Sequence, residues 1–130
     1  DIASLSHATC HHCGRSGDRV LPPIVRTKDL LKVKGMLINP DVLMETLRTV
    51  PGVDEFQVVL AKENPADPFS MDEMVVRIAS PRHDREALGP QVIEATRRAV
   101  NIRPRVEYVR ANDIYDPGRD AKATRLVDRR

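Results

Sequence analysis

The chain has 130 residues, with 21 Lys and Arg against 19 Asp and Glu for a formal charge of +2, and it is 41% hydrophobic and 31% charged. That length suits one domain with a real apolar core, and the composition is that of an ordinary globular protein rather than a disordered or fibrous one. The near balance of charge and an aromatic content of 3%, limited to Phe56, Phe69, Tyr108 and Tyr115, argue against nucleic-acid binding and against stacking an aryl ring within this chain. No apolar run nears the roughly 20 residues needed to span a bilayer, so a cytoplasmic protein with no membrane partner is expected. Asp1 in place of Met fits a processed chain or a piece of a longer one.

Residues 1–26 show no sustained period and crowd His, Cys, Gly, Ser and Pro, ending in Leu21-Pro22-Pro23-Ile24, which predicts an irregular opening segment. Leu30 to Ile38 alternates around Gly35 and predicts a small hairpin. Asn39 offers an N-cap with Pro40 at the first helical position, and Val42, Leu43 and Leu47 recur at helical spacing until Pro51-Gly52. Phe56, Val58 and Leu60 predict a strand, and Met74, Val76 and Ile78 a second, antiparallel to the first across the Asn64-Pro65-Ala66-Asp67-Pro68 turn. Leu88, Val92, Ala95 and Ala99 trace a helical face, in which Pro90 either kinks a longer helix or opens a shorter one. A last strand covers Arg105 to Arg110, and the tail to Arg130 reads as exposed and mobile. The class is α+β: a small antiparallel or mixed sheet with two helices on one face, in the ferredoxin-like order β-α-β-β-α-β.

Two stretches could carry chemistry. In the run from Val25 to Gly35, a basic hairpin turning at a glycine presents cations and bare backbone, for which phosphates are natural guests; a solvated hairpin is the bland alternative. In Arg119-Asp120-Ala121-Lys122-Ala123-Thr124-Arg125, a lysine among small residues follows a Pro-Gly turn. Its ammonium is a compact charge suited to a developing phosphoryl anion. His7, Cys10, His11, His12 and Cys13 invite a zinc reading, but closure within one local segment is strained. The chain is assigned no metal of its own; a zinc ion on Cys10 and Cys13 with two ligands from elsewhere is the alternative.

Together the Arg-x-x-Asp-x-x-Lys-x-x-Gly run from Arg26 to Gly35, the Asn39-Pro40 helix start, the stretch Pro51 to Val58 and the tail Arg125 to Arg130 resemble the C-terminal domain of adenylate-forming enzymes, on the phenylacetate-CoA ligase branch. The resemblance implies a ligase that joins a carboxylic acid such as phenylacetate to Mg-ATP, giving an acyl-adenylate, and then to coenzyme A, giving a thioester. It implies that residues 1–26 end an N-terminal adenylation domain and link to the hinge, and that residues 27–130 form a lid that swings between the two steps. By the same resemblance Lys122 is the adenylation lysine, Lys28 the hinge, Asp1, Arg26 and Lys32 nucleotide-binding, and Lys34 and Gly35 part of the CoA channel. Relatives usually carry Gly before the catalytic lysine; this chain has Ala121. The domain alone is expected to be inactive, since the acyl pocket and most of the nucleotide site would belong to the N-terminal domain. The competing reading is a stand-alone ferredoxin-like module that binds a ligand or partner without catalysis.

Overall fold

The computed structural model describes residues 2–25, 30–81 and 85–130. In chain order these form β1 (Ile2–Ser6), β2 (Arg19–Val25), β3 (Leu31–Val33), β4 (Met36–Ile38), α1 (Pro40–Thr49), β5 (Glu55–Lys62), β6 (Asp72–Ala79), α2 (Arg85–Val100), β7 (Arg105–Tyr108), α3 (Ala111–Ile114) and β8 (Leu126–Asp128). The α+β class expected from the sequence holds. A four-stranded mixed sheet runs β7-β6-β5-β8, beside two separate antiparallel pairs, β1-β2 and β3-β4.

Local chemistry accounts for most of these elements. The Asn39 side chain accepts a hydrogen bond from the Asp41 N–H at 2.9 Å, Pro40 needs no partner in the first turn, and α1 buries Leu43 and Leu47. β3 and β4 turn through Lys34 and Gly35, which both lie at positive φ (49° and 79°), as a two-residue hairpin turn demands. In β5 and β6 the pairs Phe56–Ile78, Val58–Val76 and Leu60–Met74 face each other across the sheet. All six are buried in one core with Leu88 and Val92 of α2. The opposite, outer face carries Gln57, Arg77 and the ion pair of Glu73 with Arg105.

Two regions are more ordered than the sequence suggests. The opening segment, read as irregular, contains the β1-β2 ribbon. Pro22 and Pro23 argue against a strand, but a two-stranded ribbon leaves each strand one unpaired side, on which a missing N–H costs nothing. The tail, read as mobile, folds through α3 and returns as β8, which pairs parallel with β5 from Val58–Leu126 to Leu60–Asp128. Pro90 proves to lie inside α2, which begins five residues earlier.

Gly89 of α2 is buried against β7: a Cβ built there would sit 2.7 Å from the Tyr108 hydroxyl. Gly89→Ala is therefore expected to destabilise the fold by about 1–3 kcal/mol through overpacking, although alanine favours a helix by about 1 kcal/mol. Urea midpoints should show the loss, and in a Tyr108→Phe background most of it should vanish.

Candidate functional site

Lys122 sits on a loop shaped by a local turn before it and fastened to the sheet after it. Before it, the Asp116 carbonyl accepts the N–H groups of Arg119 (3.0 Å) and Asp120 (2.7 Å). The Asp120 carboxylate in turn accepts the Asp116 N–H at 2.9 Å and pairs with Arg119 at 2.8 Å. After it, the Arg125 guanidinium forks onto Glu55 at 2.8 and 3.0 Å and lies 4.9 Å over the Phe56 ring, while the Arg125 carbonyl accepts the Val58 N–H at 2.7 Å. Lys122 itself is exposed, and no described residue bonds its ammonium. Ala121 is not among the described residues at positive φ, so an alanine costs this loop no backbone strain. The lysine shares a concavity of about 230 Å³ on the outer sheet face with Gln57, Arg77, Arg119 and Arg129 and with the carboxylates of Asp113 and Asp120. The basic side chains outnumber the acidic ones there, a balance that suits phosphate oxygens.

The hairpin residues lie in a different place. Lys32 and Gly35 border a second hollow with Lys62, Asp72, Asp128 and Arg130. Arg130 ties that hollow together: its guanidinium reaches Asp128 at 2.7 Å, Asp72 at 2.9 Å and the Lys32 carbonyl. Lys34 is exposed and pairs with Glu63 at 3.3 Å. A Cβ on Gly35 would meet nothing within 4 Å among the described residues, so its backbone faces open space. The structure thus does not gather the candidate residues into one cluster; it distributes Lys122 and the Lys32–Gly35 hairpin between two hollows. Asp1, Arg26 and Lys28 lie outside the described residues.

Cys10 and Cys13 close a tight turn in which the Gly14 N–H reaches the Cys10 carbonyl at 2.8 Å. Backbone N–H groups of Cys13 and His12, with the Cys13 side chain, hold the Cys10 thiol below its usual pKa. Among the described residues no three His, Cys, Asp or Glu side chains are placed to hold a metal ion. Cys10 and Cys13 would supply only two of the four ligands of a tetrahedral zinc site.

Several carboxylates of the domain are held low by neighbouring cations. Burial would push Asp72 up, but Lys62 and Arg130 outweigh it and hold the group low. Arg105 lowers Glu73, Arg119 lowers Asp120, and Arg130 lowers Asp128. On α2, Arg97 and Arg98 take Glu94 down to about 2. A carboxyl that is more acidic when folded stabilises the fold above its unfolded pKa, near 4, and loses that contribution as pH falls through the folded value. The urea midpoint is therefore expected to hold steady from pH 6 to about 5 and to fall below about pH 4. Asp72→Asn should shrink that acid-side slope.

Nothing in the sequence marks Gln57, Arg77 or Asp72 as site residues. Each lies on the outer or edge side of a strand, where a polar residue is the ordinary expectation, and each is given its setting by residues far along the chain.

An α+β module with an exposed lysine on a stapled loop and a basic glycine hairpin has the fold of the small domains of CoA ligases. No family model matches the chain. The phenylacetate-coenzyme A ligase of Thermus thermophilus is 29% identical over 110 residues, a match covering 82% of this chain and 24% of that protein. A domain of phenylacetate-coenzyme A ligase from Bacteroides vulgatus superposes with a TM-score of 0.59 at 21% identity, over 78% of this chain and 93% of that one. 2-Hydroxyisobutyryl-CoA ligase with 2-HIB-AMP and CoA in the thioesterification state gives a TM-score of 0.60 at 22% identity, over 97% of this chain and 26% of that one. The chain thus spans about a quarter of the curated relative it matches. The resemblance read from the sequence holds: this chain is similar to the C-terminal domain of the adenylate-forming CoA ligases.

Proposed function

We propose that the chain is the mobile catalytic domain of an AMP-forming CoA ligase for an aryl carboxylic acid such as phenylacetate. In the first step the acid's carboxylate would attack the α-phosphate of Mg-ATP, releasing pyrophosphate and leaving an acyl-adenylate. In the second the CoA thiolate would displace AMP from the acyl carbon to give the thioester. The observation that carries this reading is Lys122: an exposed ammonium, claimed by no described neighbour, on a loop tied to the sheet through Thr124 and Arg125, to which the resemblance in sequence gives the adenylation role. There it would neutralise charge building on the α-phosphate.

The division of labour follows from the two hollows. One orientation of the domain would bring Lys122 to the nucleotide; another would bring Lys34 and Gly35 to the pantetheine passage, with Lys32 near phosphates. In this reading residues 1–26 end the N-terminal adenylation domain, residues 27–130 are the lid, Lys28 is the hinge, and Asp1 and Arg26 contact the nucleotide. The product of the complete reading frame, given ATP, magnesium, CoA and a panel of aryl and alkyl carboxylates, is expected to release AMP and pyrophosphate and form a thioester with at least one acid. Release of ADP, or no turnover with any acid, would leave the binding-module reading in its place.

A further inference from the structure

Gln57 of β5 has a buried side chain, only 8% exposed, among strand residues that are otherwise apolar or ion-paired. Both ends of its amide are committed. Its Oε1 accepts from Arg77 Nη1 at 2.8 Å, and its Nε2 donates to the Thr124 carbonyl at 2.9 Å. This geometry has one solution: a guanidinium only donates and a carbonyl only accepts, so the amide oxygen must face Arg77 and its nitrogen must face Thr124. Arg77 is itself directed by Glu107 of β7, 3.9 Å away. Glu107 pairs with Arg105, which also holds Glu73 at 2.8 Å.

Thr124 lies two residues beyond Lys122, and Gln57, Arg77, Thr124 and Lys122 border the same hollow. We propose that Gln57, oriented by Arg77, is a positioning residue for Lys122: it sets the height of the Lys122 loop above the outer sheet face. The proposal rests on the reading of Lys122 as the adenylation lysine. The other fastenings do a different job. Asp116 and Asp120 shape the turn before the lysine, and Arg125 anchors the start of β8 through Glu55 and Phe56 at the end of the sheet. Among the described residues Gln57 is the side chain that reaches from the floor of the hollow to the loop's backbone, one residue before the Val58 N–H takes the Arg125 carbonyl. An amide bonded at both its oxygen and its nitrogen favours a single geometry, which is what a charge aimed at a reacting phosphate requires.

Gln57→Glu separates this role from mere packing. Glutamate keeps the size and still accepts from Arg77, but it turns an acceptor toward the Thr124 carbonyl, so the loop is repelled rather than held. In the complete ligase this variant should slow acyl-adenylate formation about tenfold and leave thioester formation from supplied acyl-adenylate within about twofold of wild type. Gln57→Met, which removes both bonds, should behave similarly. In a Lys122→Ala background Gln57→Glu should add no further loss, because its effect passes through the lysine. Losses that multiply in the double variant, or that fall equally on both half-reactions, would overturn the proposal. The 130-residue chain gives an independent reading: NMR order parameters at Lys122 and Ala123 should fall in Gln57→Glu while those of β5 and β6 stay constant. Should Lys122→Ala leave adenylation intact, the functional reading fails and this second measurement still decides whether Gln57 holds the loop; unchanged order parameters would refute it.

Discussion

Replacing Lys122 with Ala in the complete ligase is expected to cut acyl-adenylate formation by about 100-fold or more while leaving thioester formation from supplied acyl-adenylate within about threefold of wild type. The size follows from the charge removed. A preorganised cation aimed at a developing phosphoryl anion supplies several kcal/mol when water is excluded, and of the cations that share the hollow Arg119 is committed to Asp120 and Arg77 to Gln57, which leaves Arg129 as the group whose double variant with Lys122 would show any partial replacement. The selectivity follows from the two hollows, because the Lys122 loop and the Gly35 hairpin do not share one. The variant should fold normally: the side chain is exposed, and the loop is held by the backbone and side chains of its neighbours. Single-turnover measurements of the two half-reactions check this, and equal loss in both would count against the role.

Gly35→Leu should do the reverse, cutting CoA-dependent thioester formation by about 100-fold with adenylation largely retained. Two effects must be separated here. At φ of 79° any side chain is strained by about 1–2 kcal/mol, whatever space surrounds it. A Cβ at Gly35, however, meets no described atom within 4 Å, so the domain itself sets no steric limit on a larger side chain. Gly35→Ala carries the same backbone strain with little bulk and is expected to lose only a few-fold of either half-reaction. Rates for the Ala and Leu variants compared at saturating CoA divide strain from occlusion. An Ala variant as impaired as the Leu variant would mean that the glycine serves the hairpin turn and not a passage.

Much of the fold was legible because it is written locally. Asn39 and Pro40 mark the start of α1, the alternation of Phe56, Val58 and Leu60 with their partners marks the central hairpin, and Gly35 marks a turn. What escaped depends on distant partners. Leu126 to Asp128 is a three-residue strand whose register exists only against β5, and nothing in a basic tail announces it. The β1-β2 ribbon hid behind Pro22 and Pro23, residues that normally signal a break. The candidate site divides in the same way. Lys122 and Gly35 stand out through their own neighbours in sequence, whereas Gln57 reads as one more outward residue of a strand until Thr124, 67 residues away, is placed above it.

The most direct test of the central claim is carboxylate-dependent exchange of labelled pyrophosphate into ATP by the product of the complete reading frame, with and without Lys122→Ala. Exchange that requires an aryl acid and collapses in the variant is the result expected of an adenylating ligase whose charge-neutralising residue resides in this domain. Exchange that persists undiminished without Lys122, or that no acid elicits, would contradict it.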